Sequence, residues 1–175
     1  MQTNIWDMDI SQRSWWWWFW LIFMQNPENP KCPKQLAVIW STKDCNQIKI
    51  NDLLWVREKG IIKTGNRIEF SGAIGTWFFD GRTMREPLFL DKHDFVVEDN
   101  NGFGRLATMH TNDHVFSGGS DGYNLHLEKD DFNIDLELTS TNDCLSEPKF
   151  NYNSYFRGYG YDILKIRKMN VEGQL

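Results

Sequence analysis

The residues of this chain best suited to acid–base or metal chemistry lie in two short stretches. His110 and His114 stand at i and i+4 with Asp113 between them, and His93 lies between Asp91 and Asp94. Imidazole and carboxylate are ligands for zinc and related ions. A chain turn that gathered these groups would make a metal site. Their spacing matches no metal signature, however, and polar residues at a strand end are ordinarily solvated loop. No metal and no cofactor is therefore expected. His126 falls on the polar parity of an amphipathic strand and reads as a surface residue. No G-x-S-x-G elbow, phosphate-binding loop or dinucleotide fingerprint occurs, so the motifs assign no catalytic residue.

A second group is suited to binding. Arg82, Arg85 and Glu86 follow the tight turn Asp80-Gly81, beside Pro87–Leu90. They are placed either to steady the polar end of a ligand at a barrel mouth or simply as surface charge. Tyr152, Tyr155, Tyr159 and Tyr161 are rigid amphipathic rings that could gate a pocket, though plain interface or core packing is the favoured reading. The strongest candidates are aromatic: Trp16, Trp18, Trp20, Trp40, Trp77 and Phe79. Lining a pocket, they would hold an apolar ligand by area burial, with few polar anchors. Filling the interior, the same rings would be the core.

These side chains depend on one unusual element. Residues 15–24, WWWWFWLIFM, hold five of the nine tryptophans. As a strand the run puts Trp15, Trp17, Phe19, Leu21 and Phe23 on one face and Trp16, Trp18, Trp20, Ile22 and Met24 on the other. Both faces are apolar, whereas a half-buried strand alternates apolar with polar. Alternation alone does not say which face looks inward. It does imply a cover for the second face, which a homo-oligomer or a second barrel domain or chain would supply.

The remaining pattern is one of short strands and turns. Residues 1–12 read as a polar arm and 13–175 as a single domain. Residues 25–34, with three prolines, form a loop, and Gln35–Ser41 is a strand that pairs back onto the tryptophan strand. Ile48 and Ile50 open a run to about Lys59, in which 52–59 fits a strand or a short helix, strand being favoured by the close turn signals. Ile68, Phe70, Ile74 and Phe78 share a parity, with Gly72 and Gly75 marking a bulge or bend. Asp80-Gly81 signals a hairpin. Strands follow at 87–90, 95–98 and 103–110, with 117–122 a flexible turn. The clearest hairpin has Tyr123, Leu125, Leu127 and then Phe132, Ile134, Leu136, Leu138 facing in. Residues 142–148 read as a loop, a strand runs from about Tyr161 to Ile166, and residues 169–175 begin one more. Roughly eight to ten short strands, closed to remove exposed edges, make an all-β antiparallel barrel wide enough for one small ligand.

Composition narrows the partners. The net charge of −5 carries no basic run, which argues against nucleic acid. The aromatic run is shorter than the roughly 20 apolar residues of a transmembrane helix. Asp7 and Asp9 before it are wrong for a signal peptide. Cys32, Cys45 and Cys144 are odd in number and lack metal spacing, so they read as free thiols in a reducing, cytoplasmic compartment. A Cys32–Cys45 bridge across one hairpin is the alternative for a secreted protein.

Trp16-Trp17-Trp18-Phe19, followed by the proline-rich loop and antiparallel strands, resembles the Trp-Trp-Tyr-Phe-like opening of the hydroxyneurosporene synthase (carotenoid hydratase) and lipocalin-like tandem-barrel family. Residues 121–139, DGYNLHLEKDDFNIDLELT, are similar to the hairpin near the end of that family's first barrel, and 161–175 look like the passage into its second. The family often has Glu before the paired tryptophans, where Ser14 and Trp15 stand here. The resemblance implies a lipocalin-like barrel that is the first half of a two-barrel architecture. It also implies an isoprenoid-like ligand. Much of the polar site machinery would then lie in a second barrel.

Three functions follow as expectations. The first is binding of a hydrophobic small molecule, isoprenoid or lipid-like. The second is half of a hydratase, cyclase or isomerase that protonates an alkene inside an aromatic pocket, where ring faces steady the cation. The third is a structural subunit that buries its tryptophan face in an assembly.

Overall fold

The computed structural model describes residues 15–43, 47–99, 106–119, 122–130, 132–139, 141, 145–154, 159–167 and 169–174. Fourteen β-strands run through them: β1 (Trp15–Met24), β2 (Lys34–Lys43), β3 (Gln47–Ile50), β4 (Leu53–Val56), β5 (Ile62–Thr64), β6 (Arg67–Phe79), β7 (Phe89–Asp99), β8 (Leu106–His110), β9 (His114–Gly119), β10 (Gly122–Lys129), β11 (Phe132–Thr139), β12 (Leu145–Ser154), β13 (Tyr159–Arg167) and β14 (Asn170–Gln174). The fold is all-β, as the turn spacing implied. Nine strands follow one another in an antiparallel sheet in the order β1-β2-β6-β7-β8-β9-β10-β11-β14, with β5 paired to β6 beside it. Packing divides the chain into two compact units. Among the described residues, one is built from those between 15 and 98 with 110–112, the other from Asp99, 106–109 and those from 113 onward.

The first unit is organised on β1. Its ten residues pair in unbroken register with β2, from Trp15 opposite Lys43 to Met24 opposite Lys34. The loop between them is shaped by its asparagines and prolines. Asn29 N–H donates to the Asn26 carbonyl and Cys32 N–H to the Asn29 carbonyl, while the Asn26 side-chain amide donates to the Cys32 carbonyl at 2.8 Å. β2 then pairs with β6, and β6 with β7. The expected strand–turn–strand after Phe79 is longer than a two-residue hairpin. Gly81 takes φ +96° and β7 begins only at Phe89. It runs unbroken to Asp99, where the sequence suggested two short strands. The run from Ile48 is likewise cut. Asn51, at φ +48°, turns the chain so that β3 and β4 form a separate hairpin.

The second unit carries the hairpin that the sequence displayed best. β10 and β11 pair from Gly122 opposite Thr139 to Lys129 opposite Phe132. Tyr123, Leu125, Leu127, Ile134, Leu136 and Leu138 are buried, and Asp130 turns the chain at φ +49°. β9 occupies Ser117–Gly119, which had read as turn. β12 occupies Leu145–Pro148, which had read as loop. β12 pairs with β13, and the register shifts between Glu147 and Phe150, where Pro148 has no N–H to give to the ladder. Cys45, Cys144, Asp7, Asp9, Tyr155 and the arm at 1–12 lie outside the described residues.

Candidate functional site

The register of β1, β2, β6 and β7 determines which side chains stand together. Across the four strands Trp20, Val38, Thr76 and Phe89 form one row, and Trp18, Trp40, Ile74 and Asp91 form the next. Gly72 opposite His93, and Phe70 opposite Phe95, continue the same face. This face is the buried one: Trp40, Val38, Ile74 and Thr76 are fully buried, and Trp18, Trp20, Phe70, Phe89 and Phe95 nearly so. The even-numbered residues of the tryptophan strand are therefore the inward ones.

Five rings make the wall of this face. Phe70 stacks on Phe95 at 5.1 Å between centroids and on Trp18 at 6.2 Å. Trp40 meets Phe95 at 5.5 Å, tilted, and Trp20 edge-on at 5.7 Å. These separations and angles are those that aromatic quadrupoles favour. Room for the cluster comes from Gly72, where an added β-carbon would lie 2.8 Å from the Phe95 ring.

Polar side chains enter this face at four points, one of them Thr42, whose hydroxyl donates to the Ser71 carbonyl at 2.8 Å. The Thr76 hydroxyl is fully buried, and no hydrogen-bond partner reaches it among the described residues. Asp91 and His93 occupy alternate positions on the inward parity of β7, both half-buried, and His93 meets the Phe95 ring edge-on at 6.4 Å.

The proposed ligand-lining residues divide between the two faces. Trp18, Trp20 and Trp40 belong to the wall. The backbone of Trp16 is on the same parity, opposite Thr42. Trp77 and Phe79 fall on the other parity, opposite Ala37 and Gln35, and the Trp77 ring lies over Gly75, with Leu90 beside it. Arg82 and Arg85 are exposed on the 80–88 connection. Asp80 Oδ2 accepts from Arg85 Nη2 at 2.7 Å, and Asp80 Oδ1 accepts from the backbone N–H of Arg82 and Thr83. Those two backbone donors, Thr83 first, and then the guanidinium hold the Asp80 carboxyl down at about 2.

The candidate metal ligands do not converge. Asp94 points to the exposed face and pairs with Lys59, away from Asp91 and His93. His114 is buried, and its Nδ1 accepts the Glu128 backbone N–H at 3.2 Å, which is a core role. No group of three or more His, Cys, Asp or Glu that could hold a metal occurs among the described residues. His126 is on the outer face of β10, with Asp135 at 2.6 Å. It borders an open surface depression of about 330 Å³ that Asn124, Glu137 and Glu172 also line.

Sequence reading missed Phe70, Thr76, Phe89, Asp91, His93 and Phe95 as members of one site. A signal existed: Phe89, Asp91, His93, Phe95 and Val97 share one parity, with Asp and His placed inside an otherwise apolar set. The fold and the wall together define an all-β protein with an aromatic-faced antiparallel sheet. No protein-family model matches the chain, and no curated protein and no solved structure does so either.

Proposed function

We propose that this protein binds a hydrophobic small molecule, isoprenoid or lipid-like, against the aromatic wall of β1, β2, β6 and β7. The observation that carries the reading is the Thr76 hydroxyl, fully buried in a row with Trp20 and Phe89 and without a hydrogen-bond partner among the described residues. Leaving such a group unsatisfied costs about 1–3 kcal/mol, and a ligand with one hydroxyl or carbonyl would relieve that cost. The rings would supply the affinity, at roughly 25 cal/mol per Å² of apolar area covered. The resemblance to the carotenoid hydratase-like, lipocalin-like family supports the same ligand class. The free Cys32 thiol fits a cytoplasmic setting. Among the described residues no helix is long and apolar enough to cross a membrane.

Retinol, a conjugated isoprenoid alcohol, is a suitable probe. Titration should quench tryptophan emission and saturate. Thr76→Val should weaken binding by about 5–10-fold, the equivalent of one hydrogen bond, while leaving the unliganded protein as stable or more so. Absence of quenching, together with no apolar compound in a solvent extract of gently purified protein, rejects the reading.

A second reading, acid–base chemistry on an isoprenoid alkene, is favoured by Asp91 and His93 on the buried face. A general acid, for which the Asp91 side chain is the candidate, would pass a proton to an alkene carbon, the rings would steady the cation, and water would add, returning its proton to the acid's conjugate base. Incubating an isoprenoid alkene in deuterated water tests this. Deuterium in a C–H bond of the product, lost in Asp91→Asn, is expected; no incorporation rejects it.

A further inference from the structure

The aromatic wall carries few ionisable groups, and they are unevenly placed. In the paired rows of β1, β2, β6 and β7, those on the inward parity are Lys34, Asp91 and His93. Lys34 stands at the end of β2, opposite Met24, beyond the wall and three rows from Asp91, about 20 Å along the strands. His93 meets the Phe95 ring edge-on. Asp91, half-buried, closes the row that holds Trp18, Trp40 and Ile74.

Beside Asp91 is the Thr76 hydroxyl, fully buried and without a hydrogen-bond partner among the described residues. Thr76 pairs with Phe89, which makes Asp91 its diagonal neighbour on the same face. Such neighbours lie roughly 7–8 Å apart, and one ligand atom about 2.8 Å from each side-chain oxygen bridges that gap. Asp91 already interacts within the chain, and the roughly four lone-pair sites of a carboxylate leave room for a further donor.

The chemistry of the bridging atom follows from these two side chains. A carboxylate only accepts, whereas a hydroxyl donates and accepts. A ligand carbonyl would satisfy Thr76 and offer Asp91 nothing. A ligand carboxylate would bring a second negative charge against Asp91. An alcohol has a single proton to give. A protonated amine has up to three, serves both oxygens, and forms with Asp91 a charge-assisted bond, the stronger kind. Its charge also suits the setting, because Phe89, Trp18 and Trp40 share the face and aromatic rings attract cations.

We infer that the ligand of this wall is an apolar amine, its ammonium held between Asp91 and Thr76 and its chain laid against the rings of Trp18, Trp40 and Phe70. The inference rests on the reading of the wall as a ligand site, and it narrows the lipid-like class to long-chain or isoprenoid amines.

Isothermal titration of the full chain at pH 7 with dodecylamine, dodecanol and dodecanoate, which share one chain and differ in the head, tests it. Dodecylamine should saturate one site and bind about tenfold or more tightly than dodecanol, as a hydrogen bond to a charged group exceeds a neutral one, with dodecanoate weakest. Asp91→Asn should cut the ratio of amine to alcohol affinity to about twofold or less. Should that variant fail to fold, Asp91→Ser gives the same reading. Asp94→Asn makes the same change of net charge at an exposed position and should keep the ratio, which separates Asp91 from general attraction to a chain of net charge −5. Dodecanol or dodecanoate binding as tightly as the amine overturns the inference and leaves the wall a site for another head group. A ratio unchanged by loss of the Asp91 charge overturns it as well. Binding of none of the three rejects the reading of the wall itself.

Discussion

Gly72 has a function that its neighbours impose on it. Its missing side chain leaves space for the Phe95 ring, and an added β-carbon would also meet the Ser41 carbonyl oxygen. One contact is a ring held between Phe70 and Trp40, the other is backbone, so neither can yield cheaply. Gly72→Ala should therefore cost about 1–3 kcal/mol by overpacking, measured by urea unfolding. Unchanged stability would mean that the ring lifts away and the wall is loose. Asp80 shows the opposite case, a half-buried turn residue with a fixed state. Its carboxyl, held at about 2 by the Thr83 and Arg82 amides and then by Arg85, lies below the ordinary Asp value near 3.9. A depressed acid stabilises the fold above its unfolded value and loses that contribution as pH falls through its folded one. The turn should thus be intact at pH 4 and weaken toward pH 2. Carboxyl-carbon NMR should place the Asp80 midpoint near 2, and Asp80→Asn should abolish this part of the acid dependence. A midpoint near 4 would show the turn to be open in solution.

At the scale of strands, the β10–β11 hairpin gives the firmest expectation. Ile134 is fully buried opposite Leu127, also fully buried. Ile134→Ala should cost about 2–5 kcal/mol in thermal or urea unfolding, whereas Asn133→Ala on the solvent side should cost little. Equal small effects would mean that the face is not packed as described. This hairpin was legible because Asn124, Glu128, Asp135 and Glu137 alternate with the apolar residues, so water marks one face. The same rule failed where both parities are apolar. In β1 nothing in the sequence told Trp18 from Trp17. Trp77 and Phe79 were grouped with Trp40 because inter-strand register is a tertiary fact: Val38 lies opposite Thr76, and only that pairing turns Trp77 to the outside. β12 was hidden by Pro148, a residue that ordinarily stops a strand but here sits at a register shift. β9 was hidden by its glycines. The fold class survived these errors because it rests on many turns, whereas the site rests on a few registers.

For the whole molecule, charge and the exposed face act together. Each copy carries −5 at pH 7 and would be neutral near pH 5.3. Association of two copies through the exposed β1 side chains would gain nothing from charge and would have to work against the repulsion of two like-charged protomers. That repulsion is screened over about 8 Å at physiological salt and vanishes as net charge approaches zero. The dissociation constant of such a pair should therefore fall several-fold as salt is raised from about 20 to 500 mM at pH 7, a span in which the screening length shrinks to a few Å. It should fall again as pH is lowered from 8 toward 5.3 at low salt. An interface held by ion pairs across the two copies behaves oppositely, weakening with salt, because exposed pairs are screened. Sedimentation across this grid of salt and pH distinguishes the two. Tightening with salt is the outcome expected for Phe19, Leu21 and Phe23 at the centre of the contact. Loosening with salt would move the contact to the charged surface around Asp135, Glu137 and Glu172, away from the tryptophan strand's outer face.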